Sequence, residues 1–380
     1  MQPAVKAVWD LIPSVIQDGI AAALNRAQGV EIPDPPVPPA GRQVRMYIGP
    51  TNYAGQGFQW ARSVEVDPDV YAQSMVCQEI NPFEYPTDYS VSWRTMMHSR
   101  HWQRQLLENL TANYTHVVFE AQMPVLGGMF GANIRRQVAA LRSGGVTVGM
   151  LCHGTDIRLP STHKERVAWS FFANDDWAPV AKVEEVVRKN MAILRDVHAP
   201  TFVSTPDLLI DVPSASWLPV VIDPDRWKYS TPPLLGERIR VVHVPSNPLP
   251  KGSVHIEPIL RKLESEGLLE YVSMTGLTHD RMTELIHSAD IVLDQFRTGD
   301  YGVGACEAMA AGRLVISHVS DDARGVVREH SGYDLPILEA TIDSLEAVIR
   351  HVTEDRSAAM TLASQGPQFV RAVHDGTMSR

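Results

Sequence analysis

The chain has 380 residues, of which 44% are hydrophobic and 21% charged, with a formal net charge of −10. That length calls for two cores rather than one. The acidic balance lacks the basic face that non-specific nucleic-acid binding requires, so no nucleic-acid partner is expected. Cys77, Cys152 and Cys306 are far apart and form no CxxC pair, which argues against a disulfide framework or zinc ribbon and points to a reducing, cytoplasmic setting. No apolar run reaches the roughly 20 residues of a membrane span, and the N-terminus lacks the basic start and cleavage site of a signal peptide.

Residues 5–28 place Val5, Val8, Trp9, Ile12, Val15, Ile16, Ile20 and Leu24 at helical spacing. Pro13 should break or restart that helix, because it cannot donate an interior hydrogen bond. Gly29 should close it, and residues 31–40 (EIPDPPVPPA) read as a stiff, extended linker. Residues 1–40 are thus a helical leader with a proline-rich linker. Its polar face carries Lys6 and Arg26 against Asp10, Asp18 and Glu31, too few cations for strong attachment to acidic lipid. Docking onto the chain's own body or a second copy is favoured for residues 1–30. Peripheral contact with the inner face of a membrane is the alternative.

After the linker, strand and helix patterns alternate, the signature of parallel sheets with crossover helices. Strands are expected at Val44–Ile48, Thr115–Phe119, Val146–Leu151 and Pro200–Ser204, with helices at Asn133–Arg142 and Ala181–Arg195. A second series has strands at Ile239–Val244, Glu270–Met274, Ile291–Asp294 and Leu314–Ser317. Its helices are expected at Val254–Glu266, Thr283–Ala289 and from Ala305. The fold class is therefore α/β, with two Rossmann-like βαβ domains and a ligand cleft between them. The expected division is 41–225 for an acceptor-side domain, 226–365 for a nucleotide-binding domain, and 366–380 for a C-terminal segment returning to the first.

Ligands of such sheets bind beyond the carboxyl ends of the strands. Gly49 to Gly57 follows the first strand, and its Gly55, Gln56 and Gly57 can present amides to a phosphate. The loop misses a dinucleotide fingerprint because Trp60 stands where a third glycine belongs. His153-Gly154-Thr155-Asp156 ends another strand, where a histidine is either structural or directed at a ligand. In the second series, Ser246, Asn247 and Lys251 precede Gly252. A lysine aimed at a helix start is a minimal diphosphate grip, although the order is not that of a P-loop. The run from Thr298 to Gly312 is the most informative: Gly299, Gly302 and Gly304 open amides, and Glu307 lies near a helix start. An acid there can complement the helix dipole or accept from ribose hydroxyls. No Asp-x-Asp metal pair is evident at either set of strand ends.

These residues resemble the retaining glycosyltransferases of family four, which adopt the GT-B fold. The family segment reads roughly Glu-Gly-Phe-Gly-Leu-Pro-x-x-Glu-Ala-Met-Ala-x-Gly, and here stands as Gly299-Asp300-Tyr301-Gly302-Val303-Gly304-Ala305-Cys306-Glu307-Ala308-Met309-Ala310-Ala311-Gly312. Met282–Asp294 matches the run into it, and His153-Gly154-Thr155-Asp156 is similar to the family's HGTD turn. In element order the resemblance covers about residues 44–375. It implies transfer of a sugar from a nucleotide-diphosphate sugar, with retention of anomeric configuration and without metal or a separate cofactor. A UDP-sugar is favoured, on the frequency of such donors in the family.

By the same resemblance His153, Lys251 and Glu307 are the catalytic set, with Glu307 on the ribose and Lys251 on the diphosphate. Asp300, Tyr301, Gly302, Val303 and Gly304 would line the phosphates and sugar, and Thr275, Gly276 and Leu277 would lie near the base. The partners are then a nucleotide sugar and an acceptor (glycan, lipid-linked or small molecule) that the sequence does not name. Two departures stand out: Gly299 replaces the first glutamate of the family's pair, and Ser246 or Asn247 stands where an arginine precedes the lysine. They favour, as the alternative, a catalytically degenerate sugar-nucleotide-binding subunit of an active transferase. An NAD-dependent oxidoreductase is disfavoured by both failed fingerprints.

Overall fold

The computed structural model describes residues 12–29, 32–80, 85–174, 178–276 and 279–380. Val5, Val8 and Trp9 of the leader, and Leu277, lie outside them. Among the described residues, twelve strands are labelled β1 to β12 in chain order. β1 (Val44–Gly49), β2 (Val70–Cys77), β3 (Tyr89–Val91), β4 (His116–Glu120), β5 (Thr147–Cys152), β6 (Thr201–Val203) and β7 (Ser216–Trp217) form a sheet in the order β3-β2-β1-β4-β5-β6-β7. β8 (Ile239–His243), β9 (Leu269–Ser273), β10 (Ile291–Leu293), β11 (Leu314–Ser317) and β12 (Ile337–Glu339) form a second in the order β12-β11-β10-β8-β9. The pairings among β1 to β5 and throughout the second sheet are parallel. These are two Rossmann-like α/β units, as the alternating pattern predicts.

Parallel strands covered on both faces need continuous apolar runs. β10 is one: Ile291, Val292 and Leu293 are all buried. The covering helices bury one stripe each. In Arg100–Asn113, Trp102, Leu106 and Leu110 recur every fourth residue and are fully buried, and Ser99 caps the helix by accepting from the Trp102 amide at 3.3 Å. In both sheets the order of growth reverses beside the first strand, between β1 and β4 and between β8 and β10. A crevice opens at such a reversal, beyond the carboxyl ends.

The leader helix spans Ser14–Ala27 and starts directly after Pro13, whose carbonyl accepts from the Ile16 amide at 2.9 Å. It packs on its own unit: Asp18 is ion-paired with Arg100, and Arg94 donates to Asn25 and Gln28 at 3.2 and 2.7 Å. The proline linker is tied down as well. A proline cannot donate, but its carbonyl still accepts: Tyr89 donates to Pro33 at 2.8 Å, and Tyr114 and Asn109 donate to Pro36 at 2.9 and 2.8 Å.

One compact unit comprises Met1–Asp156 with Asn190–Phe202, the other Ile157–Lys189 with Val203–Arg380. The division differs from the expected one near residue 225, since residues 203–225 pack with the second unit. The reason is the C-terminal segment: His374 meets the Val220 carbonyl through Nδ1 at 2.8 Å, its own carbonyl accepts from the Ile222 amide at 2.9 Å, and Ser379 donates to Pro219 at 2.8 Å. Residues 366–380, expected to return to the first unit, meet residues 219–222, which belong to the second.

The Val303–Ala310 helix, which carries Glu307, is backed by the long Arg356–Val373 helix. The two approach so closely at Gly366 that an added Cβ would lie 2.6 Å from the Met309 carbonyl oxygen. Gly366→Ala should therefore lower stability by about 1–3 kcal/mol, the ordinary cost of overpacking. An unchanged denaturation midpoint would show that the two helices separate freely.

Candidate functional site

In the first unit the site is built on a buried acid. Glu120 ends β4 and is fully buried. One carboxylate oxygen accepts from the amides of Thr51 and Asn52, at 2.9 and 3.0 Å, in the loop after β1. The other lies 3.1 Å from His153 Nε2. A buried carboxylate is costly unless its lone pairs are filled, so Glu120, the loop and His153 fix one another. Asp156 completes the turn after β5, accepting from the His153 amide at 3.0 Å and the Gly154 amide at 2.6 Å. The rings of Tyr53 and Trp60 pack on the His153 imidazole, with centroids 5.2 and 5.7 Å away.

The loop holds this shape with left-handed backbone at Asn52, Ala54 and Gly55. Asn52 Oδ1 accepts from the Phe58 amide at 3.0 Å, and a Cβ on Gly57 would meet that oxygen at 3.2 Å. Gln56 is buried and Gly55 lies against Tyr85. Of the expected donor-binding trio Gly55, Gln56 and Gly57, none presents an open side chain, and Gly57 serves the fit around Asn52 and Glu120. Glu120 itself was not singled out by sequence reasoning. The available signal was an acid ending the apolar run His116–Glu120.

The second unit repeats the device. Asp294 follows β10 and is 2% exposed. Its carboxylate is ion-paired with Lys251 and accepts from the Gly302 amide at 2.9 Å. A Cβ on Gly302 or Gly304 would stand 3.7 or 4.0 Å from the same carboxylate. Gly302 caps the Val303–Ala310 helix. One turn along it, the partly exposed Glu307 accepts no side-chain hydrogen bond among the described residues. Burial pushes its acid up to about 8, against the opposing pull of Lys251 and Arg226 and with some help from Asp294. Glu307 therefore holds its proton at neutral pH.

Lys251, Gly302, Val303, Gly304 and Glu307 are thus brought together, around Asp294, at the β8/β10 reversal. Ser246 and Asn247 are exposed beside them, and Asn247 caps the Pro248–Lys251 turn by accepting from Leu249 at 3.2 Å. Thr275 and Gly276 are exposed past β9. Arg226 is a cation that the sequence reading did not identify, carried by the Pro224–Trp227 helix packed on Val303–Ala310.

Asp300 and Tyr301 do not line an open site. Asp300 is 1% exposed beside Asp207, which is bound by Arg158 at 2.7 Å. Burial and Asp207 push Asp300 well above the usual carboxylate range. Tyr301 is buried with its hydroxyl 3.2 Å from His374 Nε2. Gly299, where the resembling family has glutamate, has φ +74, and an added Cβ would lie 2.8 Å from Val167 Cγ2. The loop is pinned from outside as well: His163 Nε2 meets the Thr298 carbonyl at 2.9 Å, and Arg297 donates to the carbonyls of Trp169 and Ser170 at 3.0 Å each.

The Glu120 network makes a prediction independent of activity. Glu120→Gln leaves at most one oxygen to serve Thr51, Asn52 and His153, and charge-assisted bonds of this kind contribute about 1.5–3 kcal/mol. Hydrogen exchange at the Thr51 and Asn52 amides should therefore quicken by at least about tenfold while β2 stays protected. Unchanged exchange would mean that the loop holds its shape without the acid.

No family model matches the chain, and no curated protein matches it by sequence. The match comes from structure. Sucrose-phosphate synthase from Thermosynechococcus elongatus is 12% identical with a TM-score of 0.58, covering 89% of this chain and 96% of its own. HepE from Anabaena, solved in complex with UDP-glucose, is 10% identical with a TM-score of 0.54, covering 88% and 96%. The catalytic domain of starch synthase IV from Arabidopsis thaliana, bound to ADP and acarbose, is 10% identical with a TM-score of 0.52, covering 86% and 95%. Two parallel-sheet units in one chain, similar over nearly its whole length to these transferases, give the protein the GT-B fold.

Proposed function

We propose that the protein is a glycosyltransferase that moves a sugar from a nucleotide-diphosphate sugar to an acceptor. The reaction retains anomeric configuration and needs no metal, and a UDP-sugar is the favoured donor. The observation that carries this reading is the cluster at the β8/β10 reversal: Lys251, the Gly302–Gly304 turn and Glu307 around one buried carboxylate. Two neighbours with this fold were solved with nucleotide ligands, UDP-glucose in one and ADP in the other.

In this reading the Lys251 ammonium turns from Asp294 to the leaving diphosphate and stabilises the charge that develops there. Glu307 accepts from the ribose hydroxyls. His153, held by Glu120, contacts the transferred sugar, and Arg226 adds the positive charge missing ahead of Lys251. A second reading, a non-catalytic sugar-nucleotide-binding subunit, draws on Gly299, whose conformation and Val167 contact leave no room for a sugar-holding side chain. Slow hydrolysis of a nucleotide sugar by the purified protein would favour the enzyme over the subunit.

The division of labour between Lys251 and Glu307 is testable. Lys251→Ala removes charge from the diphosphate, so it should weaken UDP tenfold to a hundredfold, about 1.5–3 kcal/mol, and leave uridine nearly unchanged. Glu307→Gln should weaken UDP and uridine alike. Because Glu307 has its acid raised to about 8, binding through its carboxylate must release a proton. Uridine affinity should then rise about tenfold from pH 6 to 7 and level off above pH 8, and the slope should vanish in Glu307→Gln. Calorimetry showing uridine binding that ignores both pH and Glu307→Gln would remove the ribose role.

His153→Ala should slow transfer by at least about tenfold, the loss of a contact of roughly 1.4 kcal/mol, with much less change in donor affinity. Wild-type turnover in the folded variant would leave His153 a purely structural residue. EDTA should not abolish turnover, and the product's anomeric signal by NMR should match the donor's.

A further inference from the structure

One cavity is not used by the donor reading. It encloses about 430 Å³ of the first unit, between the leader helix, the helices that follow β3, and the loop after β4. Its walls include Asp18, His98, Arg100, Arg104, Met129 and Phe130. A space of this size suits a small ligand rather than a bare ion.

The charges in it do not cancel. Asp18 is taken by Arg100, to which it is ion-paired, and also lies 3.8 Å from His98 Nδ1. Burial is the main influence on His98 and lowers it, so the imidazole is neutral at neutral pH. That leaves Arg104, an exposed guanidinium that makes no hydrogen bond or ion pair among the described residues. An unbalanced arginine at a cavity is informative in a chain whose net charge is −10.

Part of the lining is apolar and has left-handed backbone. Phe130, Gly131 and Ala132 are consecutive left-handed residues, at φ 57, 67 and 59. Such a conformation costs about 1–3 kcal/mol at each non-glycine position and persists only where the surroundings impose it. Just before these residues the chain runs against the preceding helix: an added Cβ on Gly127 or Gly128 would lie 1.8 Å from the Met96 carbonyl oxygen or 2.1 Å from that of Met97. The Phe130 ring remains 42% exposed.

We infer that this cavity binds a phosphate-bearing part of the acceptor, the anion on Arg104 and the adjoining ring or chain against Phe130 and Met129. The word acceptor rests on the transferase reading; the phosphate site does not. A guanidinium fork matches phosphate oxygens in a bidentate manner. A soluble sugar phosphate and a lipid phosphate present the same chemistry.

The experiment titrates the full chain with glucose 6-phosphate and with glucose by calorimetry. In parallel it measures sedimentation with vesicles of phosphatidylcholine alone or mixed with phosphatidic acid. Preference for glucose 6-phosphate over glucose marks a soluble source, and preference for phosphatidic acid vesicles marks a lipid one. In either case Arg104→Ala should weaken binding at least about tenfold, Arg104→Lys should restore part of it, and UDP affinity should not change. If neither phosphate probe binds, or if Arg104→Ala binds as the wild type does, the inference is overturned. Failure of the wild type to bind UDP would instead overturn the donor reading and leave the phosphate result standing.

Discussion

A carboxylate buried at the carboxyl end of a parallel strand is the constraint on which both candidate sites depend. Removing an ion from water costs several kcal/mol unless cations and donors surround it. Each unit meets this demand by folding a glycine-bearing loop and one basic side chain onto the acid. Glu120 gathers the Thr51 and Asn52 amides and His153. Asp294 gathers the Gly302 amide and Lys251. The two acids are topological equivalents: in β2-β1-β4-β5 and β9-β8-β10-β11 each lies at the carboxyl end of the third strand, Glu120 as its last residue and Asp294 just after it, beside the reversal. The fold therefore presents the same solution twice, and the basic partner differs.

That arrangement also governs the chemistry available in the second unit. Lys251 and the Gly302 amide, the two groups best suited to a diphosphate, both face Asp294. An incoming anion would compete with this internal one for Lys251 and the Gly302 amide. Glu307, one helical turn away, is protonated at neutral pH because burial outweighs the two cations near it. The charge state of this corner is set by packing around the Val303–Ala310 helix, and the close contact at Gly366 belongs to the site for that reason.

The turn from Thr298 to Tyr301 is held by residues far away in the chain. His163 and Arg297 pin it, the Arg158–Asp207 pair lies beside Asp300, and Val167 closes on Gly299. These contacts explain why residues 157–189 leave the first unit to pack with the second. They also explain why Asp300 and Tyr301 are interior residues although the motif around them suggests ligand contact.

Local pattern was enough to read the alternation of strands and helices, because buried parallel strands must be apolar and crossover helices must be amphipathic. The expected β1, β5, β8, β10 and β11 lie within about a residue or two of their observed bounds. Pro13 immediately precedes the leader helix and Gly302 starts the Glu307 helix, for reasons that reside in single residues. Other features required distant partners. β2 and β3 and the long Arg356–Val373 helix were not singled out, and the unit boundary near residue 156 depends on where residues 157–189 and 366–380 pack. Glu120 and Asp294 appear in sequence only as acids after apolar runs. Their importance comes from burial, and burial is a property of the whole fold: what surrounds a strand end is decided by loops tens of residues away. Sequence could thus determine which segments form the sheets and which loops lie at their carboxyl edges. Only tertiary structure could decide which of those loop residues face a ligand and which satisfy a buried charge.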